Sequence, residues 1–167
     1  MGLIAKQVIE LLDLQPLPIE GGHFRQTYAA SRTLDLGPPH ERPRPLSTAI
    51  FYLLTSETGS FSAMHRLSSD EVYHFYLGDP VEMLLLHPDG RSEIRLLGHD
   101  IGAGQHVQVV VPAGSWQGAH LIEGGEFALM GTTMAPGYAH SDYEGADAEE
   151  LETLYPGRSD LIRRLTR

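Results

Sequence analysis

The sequence predicts an all-β protein, built as a sandwich or barrel of short antiparallel strands. From Ser47 onward, runs of strand-forming residues follow one another, and no run with helical periodicity interrupts them until the C-terminal tail. Turn sequences such as Pro88-Asp89-Gly90 and Pro136-Gly137 separate the runs. Short strands at this spacing are typical of sandwiches and barrels, including jelly rolls. The predicted strands span residues 47–54, 60–66, 71–77, 81–87, 91–97, 106–111, 115–121 and 126–134.

Helices are predicted at both ends of the chain. Residues 3–13 place apolar side chains at helical spacing, which indicates a short amphipathic helix ended by Pro16 and Pro18. The side chains of that predicted face are Ile4, Val8, Leu11 and Leu12. The tail from Ala148 returns to helical periodicity and is broken at Pro156.

Before the main series of strands, the chain holds one further strand and one loop. The strand follows Gly21-Gly22, and alternation places Arg25 on one face and Gln26 on the other. Residues 35–45 contain four Pro, so they form either a surface loop or a flexible linker. We favour the loop because the residues that follow are strand-like, and we therefore expect one domain over residues 1–167.

Composition excludes several classes of function. The net charge of −10 argues against binding to nucleic acid or to anionic membrane surfaces, since both need Lys and Arg. The chain has no Cys, which excludes disulfides, zinc thiolate sites and thiol nucleophiles. The N-terminal residues are too polar for a signal peptide, and the apolar runs are too short to cross a bilayer. We therefore expect a cytoplasmic protein.

The stretch from Gly59 to Gly78 carries the candidate chemistry. Alternation along residues 60–66 places Phe61, His65 and Leu67 on one mainly apolar face. After a polar turn, Glu71 opens the next predicted strand and shares a face with Tyr73 and Phe75. If the two strands form a hairpin, an imidazole and a carboxylate meet at the mouth of an apolar cavity. Each residue has a structural alternative, because His65 alone would suit a buried structural role and Glu71 a salt bridge.

This stretch resembles the first sequence motif of the cupin superfamily, with Gly59, His65, Glu71 and Gly78 at the motif spacing. A second motif, at about residues 104–121, matches in Pro112-Ala113-Gly114 but has Gln117 where cupins carry a His. Further stretches, including GGHFRQTY and STAIFYLL, resemble an uncharacterised cupin branch similar to epimerase-type (RmlC-like) jelly rolls. The resemblance implies a double-stranded β-helix (the cupin jelly roll) and a homodimer.

The resemblance and the residue types together give a set of candidate site residues. His65 and Glu71 are the candidate catalytic pair, since a His and a carboxylate suit proton abstraction and return. Arg25 suits a carboxylate or phosphate, with a surface salt bridge as its alternative, and Trp116 suits either a pocket rim or the core. His74 is interpreted as a packing or interface residue. The candidate ligand-binding residues are Arg25, Gln26, Phe61, Tyr73, Phe75, Trp116 and Gln117.

Three functions remain open at this point. The first is a small-molecule-binding cupin that acts as an acid–base epimerase or isomerase on a sugar-like or anionic metabolite. The second is a non-catalytic module that binds or senses a metabolite, and the third is a cupin enzyme dependent on a divalent metal. The sequence does not name the ligand.

Metal binding is where the resemblance and the residues disagree. Metal-binding cupins typically use three His and one Glu, but Leu67 stands where the second His belongs and Gln117 where the third does. Transition metals prefer imidazole to a neutral amide oxygen. We expect no tightly bound metal and no other cofactor, and at most weak metal binding at His65, Glu71 and Gln117. Elemental analysis of dialysed protein tests this expectation.

Overall fold

The computed structural model describes residues 2–37, 43–57 and 60–167, and these residues form two antiparallel sheets packed face to face. The strands are β1 (Gln15–Pro16), β2 (His23–Ala29), β3 (Thr33–Leu34), β4 (Arg44–Pro45), β5 (Thr48–Thr55), β6 (Ser62–Arg66), β7 (Glu71–Gly78), β8 (Val81–Leu86), β9 (Ser92–Leu97), β10 (Gln108–Val111), β11 (Trp116–Leu121), β12 (Phe127–Met134) and β13 (Glu144–Gly145). The helices are α1 (Ala5–Leu12), α2 (Ala148–Leu154) and α3 (Ser159–Leu165).

The order of the strands confirms the predicted double-sheet fold. The first sheet runs β1-β2-β5-β12-β7-β10 and the second runs β13-β6-β11-β8-β9. Every predicted strand from Ser47 onward is present, with ends that differ by at most two residues. Of the predicted loop at 35–45, residues 35–37 and 43 are irregular, whereas Arg44–Pro45 form β4, which pairs with β3. Residues 38–42 lie outside the described residues.

The space between the two sheets is the main hydrophobic core. Side chains alternate along each strand, so every second residue points inward. Tyr52 and Leu54 of β5 and Met130 of β12 meet Met83 and Leu85 of β8, and all five are buried. This core fills one end of the sandwich, and the candidate site occupies the other.

The N-terminal helix is present, but its buried face differs from the predicted one. Val8 is buried against the outer face of the first sheet, with Ala5, Ile9 and Leu12 packed beside it. Leu11, predicted to share that face, is 71% exposed. The helix starts at Ala5, and its apolar stripe runs through positions i, i+3, i+4 and i+7, which leaves Leu11 on the solvent side.

The C-terminal helices cover the outer face of the second sheet. Ile162 and Leu165 of α3 and Leu151 of α2 pack with Leu84 and Leu86 of β8 into a second apolar cluster. As a result β8 is buried on both faces. Across the parts of the chain that the structure describes, no helix is long and apolar enough to cross a membrane.

The predicted hairpin between the strands that carry His65 and Glu71 is wrong. β6 belongs to the second sheet, where it pairs with β11 and β13, whereas β7 belongs to the first sheet and pairs with β10 and β12. The turn at Asp70 therefore crosses from one sheet to the other, fixed by a hydrogen bond from the Ala113 amide to Asp70 Oδ1 (2.8 Å). His65 and Glu71 consequently lie on facing sheets.

The predicted common face of Phe61 and His65 is also wrong. His65 pairs with Gln117 and Ser62 pairs with Ala119, so three steps along β6 correspond to two steps along β11. This bulge shifts the alternation by one residue. Ser62 therefore points into the interior, and Phe61 packs beside the C-terminal apolar cluster.

Candidate functional site

A cavity of about 250 Å³ lies between the sheets, near the end of β6 and the beginning of β7, where the chain crosses from one sheet to the other. Its surface is mainly apolar, and polar side chains from both sheets reach it, as in most small-molecule sites. Strands of both sheets and the segment that follows β12 contribute to it. The lining residues are Leu17, Glu20, Phe24, Gln26, Thr48, Ala49, Ile50, His65, Leu67, Glu71, Thr132, Met134, Tyr138, His140 and Tyr143.

His65 is held in one orientation at the cavity wall. Its Nδ1–H donates a hydrogen bond to the Ala63 carbonyl oxygen (2.7 Å), and only 1% of its surface is exposed. The Tyr143 ring stacks on the imidazole, with the centroids 5.1 Å apart. Because a carbonyl oxygen can only accept, the neutral ring carries its lone pair on Nε2. Nε2 is therefore the nitrogen that can take up a proton.

Glu71 lies across the cavity on the first sheet and is 6% exposed. Gln117, which pairs with His65 on the second sheet, donates a hydrogen bond from Nε2 to Glu71 Oε2 (2.7 Å) and so bridges the sheets. Burial raises the pKa of the Glu71 carboxyl above its usual value, and the charge of Glu20 raises it further. His65 and hydrogen bonds from Thr132 and Gln117 act in the opposite direction. A carboxyl with a raised pKa in a cavity is a candidate general acid.

We expect Glu71→Gln to stabilise the protein at neutral and alkaline pH. Since the raised pKa means that the folded state binds the proton more tightly than the unfolded state, wild-type stability falls as pH rises from the ordinary pKa of Glu through the raised one. Gln resembles the protonated carboxyl in size and can still accept from Gln117. Thermal unfolding should therefore give a higher Tm for the variant at about pH 8, and a smaller difference at about pH 4. A Tm advantage that is largest at the acidic end would contradict this assignment.

Glu20 is a member of the site that the sequence prediction missed. Its Oε1 accepts a hydrogen bond from the Ser62 hydroxyl (2.8 Å), which the bulge in β6 turns inward. The chain enters β2 through Gly21, where φ is +106° and a Cβ atom would lie 2.2 Å from the Phe61 carbonyl oxygen. Only Gly permits this close approach, which places the preceding Glu20 at the cavity. In the sequence, the pair Gly21-Gly22 was the one signal for this placement of Glu20.

The segment after β12 contributes three further residues that the prediction missed: Tyr138, His140 and Tyr143. The backbone amide of Tyr138 donates to Thr48 Oγ1 (2.9 Å), and a buried ion pair between Arg44 and Asp142 holds the same segment. Burial, together with the charge of Glu20, raises the pKa of both tyrosines to about 12. Both hydroxyls are therefore protonated at neutral pH, and that of Tyr138 lies 3.3 Å from His140 Nδ1.

Of the predicted ligand-binding residues, the structure brings Gln26 and Gln117 to His65 and Glu71. Gln26 lines the cavity, and Gln117 contacts Glu71. Tyr73 and Phe75 are buried in the core between the sheets and do not line the cavity.

Arg25, Phe61 and Trp116 lie away from this cavity. Arg25 is on the outer face of β2, with its guanidinium 5.7 Å from the centre of the Phe51 ring. Trp116 packs in the C-terminal apolar cluster beneath the Arg66 guanidinium, which agrees with the alternative of a core role. Because of the bulge in β6, Phe61 does not point into the interior, and the Arg167 guanidinium lies over its ring.

Two histidines that a metal site would have to recruit are also elsewhere. His74 lies on the outer face of the first sheet, beside Gln108 and Thr133. His120 bonds to Glu82 on the second sheet (3.1 Å). Gly59 and His40 lie outside the described residues.

The donor set does not fit the metal site of metal-binding cupins. Leu67 lines the cavity with an aliphatic side chain, and Gln117, whose NH2 group bonds to Glu71, offers only a neutral amide oxygen where metal-binding cupins carry an imidazole. Within residues 2–37, 43–57 and 60–167, no group of three or more His, Asp or Glu side chains is arranged to hold a metal ion. The candidate chemistry of this site is therefore acid–base chemistry by the side chains of the cavity.

The fold and its two motifs define a class of protein. The profile of the family described as "Cupin superfamily (DUF985)" matches residues 6–146, and the chain belongs to the cupin superfamily.

Several proteins are similar to this chain over most of its length. Protein SO0799 from Shewanella oneidensis has a similar structure, with a TM-score of 0.85, 31% sequence identity and coverage of 99% of each chain. A hypothetical protein from Leishmania major gives a TM-score of 0.85 at 27% identity, over 98% of this chain and 99% of that one. The uncharacterized protein YML079W from Saccharomyces cerevisiae is 26% identical over 142 residues, which cover 78% of this chain and 70% of the yeast protein.

Proposed function

We propose that this cupin is an acid–base enzyme of the epimerase or isomerase type that acts on a small, sugar-like carbonyl compound. The observation that carries the proposal is the placement of His65 and Glu71 on facing sheets across one cavity. A ligand in that cavity has a proton acceptor on one side and a proton donor or acceptor on the other. This arrangement suits removal of a proton from a carbon next to a carbonyl and its return to either face.

The two groups take different parts in the proton transfer. His65 Nε2 takes the proton from carbon, because its ring is fixed by the Ala63 carbonyl and stacked on Tyr143. Glu71, whose pKa is raised by burial, supplies a proton on the opposite side. The hydroxyls of Tyr138 and Tyr143 donate hydrogen bonds to the ligand oxygens, since they remain protonated.

The size and chemistry of the cavity favour a sugar-like compound. Its volume of about 250 Å³ lies just below the roughly 300–1,000 Å³ of sites for drug-sized ligands, which suits a monosaccharide better than a nucleotide sugar. The polar lining consists of side chains that match hydroxyl groups, including Gln26, Thr48 and Thr132. The anionic class of ligand loses its support, because Arg25 lies outside the cavity.

Hydrogen–deuterium exchange in D2O tests the proposal without knowledge of the natural substrate. With the ketose fructose as the probe, we expect the protein to accelerate loss of the proton signals from the carbons that flank the ketone. Proton NMR follows these signals directly. Binding of fructose without any protein-dependent exchange would favour the rival function, a non-catalytic module that binds or senses a metabolite.

We also propose that the protein is a homodimer that pairs through the outer face of its first sheet. Tyr76 of β7 and Val110 of β10 are exposed apolar side chains on this face, and the Tyr76 ring also packs edge to face with that of Phe51. A second copy of the chain packed on this face would remove both side chains from water. The mass of the protein in solution tests this.

A further inference from the structure

We propose that the natural ligand of the cavity carries a positive charge, as an amino sugar or a comparable small amine does, and that Glu20 binds its ammonium group. The inference rests on the proposed function for the position of the ligand, since it uses the same cavity. It adds that the ligand is a cation and that Glu20 determines specificity for this cation without a catalytic role of its own.

The balance of charge around the cavity favours a cation. Of the described residues that line it, Glu20 and Glu71 carry carboxylates, whereas no Lys or Arg is among them. Arg25 of the adjoining strand points to the opposite face of β2. Arg167 is the cation closest to this region, since its guanidinium lies over the Phe61 ring and beside Gly21, but it is not among the lining residues. An anionic ligand would meet the like charge of Glu20 in a site of low dielectric, which is unfavourable, while a cation would compensate that charge.

The acceptor capacity of Glu20, which lines the cavity, also favours a cation. Glu20 receives one hydrogen bond, from the Ser62 hydroxyl, which leaves its second oxygen and further lone pairs available. An ammonium group provides three N–H donors, so it complements this carboxylate better than a hydroxyl group does.

The cavity also has aromatic side chains in its wall. Tyr138 and Tyr143 line the cavity together with Phe24, and aromatic faces attract cations that enter a desolvated site. The charge of Glu20 contributes to the raised pKa of both tyrosines, so its carboxylate acts on the same space as their rings. Carboxylate and aromatic faces together form the kind of site that binds small organic cations.

Glu20 lies apart from the hydrogen bond that holds Glu71, although its charge acts on that carboxyl. Glu71 is clamped by Gln117 and faces His65 from the other sheet, whereas Glu20 precedes β2 and has no contact with that clamp among its described hydrogen bonds. An ammonium group at Glu20 would anchor the ligand on one side of its carbonyl and leave the carbon on the other side to His65 and Glu71. Glu20 is thus a positioning and specificity residue.

Three matched ligands test the inference: 1-amino-1-deoxyfructose, fructose and 5-ketogluconate, which are cationic, neutral and anionic. Isothermal titration of wild-type protein should give the tightest binding for the amino sugar and the weakest for the anion. In Glu20→Gln we expect the ratio of amino-sugar affinity to fructose affinity to fall by about tenfold or more, because a charge-assisted hydrogen bond is lost. In the control Glu152→Gln, whose carboxylate bonds to Arg163 outside the cavity, the ratio should not change.

Each contrary result overturns the inference. Equal affinity for the amino sugar and fructose, tighter binding of 5-ketogluconate, or no binding of any of the three by wild-type protein would do so without any variant. An unchanged ratio in Glu20→Gln would remove Glu20 from the account. The proposed function fails separately, since it fails when bound fructose or amino sugar shows no His65-dependent exchange.

Discussion

His65→Gln is expected to reduce the rate of proton exchange from fructose by about 10²–10⁴-fold, the usual contribution of a general base. The variant retains an amide that can donate to the Ala63 carbonyl, as Nδ1 of the imidazole does (2.7 Å), so the local strand geometry should persist. What it loses is the basic nitrogen Nε2. The exchange rate, measured by proton NMR in D2O, reports this loss directly, while binding of fructose should change far less than the rate.

His99→Gln is the matched control for this experiment. His99 is exposed, bonds to the Tyr76 carbonyl and does not line the cavity. Its substitution should leave the exchange rate within about twofold of wild type, as expected for a surface position. If both variants exchange at the wild-type rate, His65 is not the base, and the acid–base function is wrong as stated.

Leu84→Ala is expected to lower the free energy of unfolding by about 2–5 kcal/mol, as for other fully buried leucines. Leu84 is on the outer face of β8, which would face solvent in a bare sandwich, but the C-terminal helices cover it and its exposure is 0%. Urea unfolding monitored by circular dichroism should show a lower midpoint with an unchanged slope. Leu154→Ala, at a position 58% exposed in α2, is the control and should cost less than about 1 kcal/mol.

A small effect of Leu84→Ala, close to that of Leu154→Ala, would contradict the packing of α2 and α3 against the second sheet. The two variants remove the same atoms, so only the environment of the side chain distinguishes them. Leu84 lies outside the cavity, and its substitution tests the fold independently of the function.

Local sequence patterns predicted the strands well because the position of each strand depends mainly on its own residues. Alternating apolar positions and Gly or Pro turns fixed the ends of β5 to β12 within two residues. The break at Pro156 between the two C-terminal helices was predicted by the same local logic, since Pro cannot continue a helix.

The errors arose where the outcome depends on partners distant in sequence. The turn at Asp70 is short enough for a hairpin, but the structure uses it to cross between sheets, and no local pattern distinguishes the two. The bulge in β6 exists only relative to β11, so alternation alone placed Phe61 with His65. Each error changes which side chains share a face.

The candidate site was half predictable for the same reason. His65 and Glu71 belong to one short stretch with a recognisable spacing, and Gln117 lies at a fixed place in the second motif. Glu20 and the segment from Tyr138 to Tyr143 reach the cavity through tertiary packing, by way of the Gly21 approach and the Arg44–Asp142 ion pair. Their roles could be seen only once the two sheets were in place.

The most direct test of the central claim, that the cavity between His65 and Glu71 is the ligand site, is an NMR titration of the histidine rings with fructose and its amino derivative. The account predicts saturable shifts of the His65 and His140 ring signals, which line the cavity, and little change at His87 and His120, which lie outside it. Saturable binding that shifts His120 while His65 and His140 stay unchanged would place the ligand elsewhere and contradict the account.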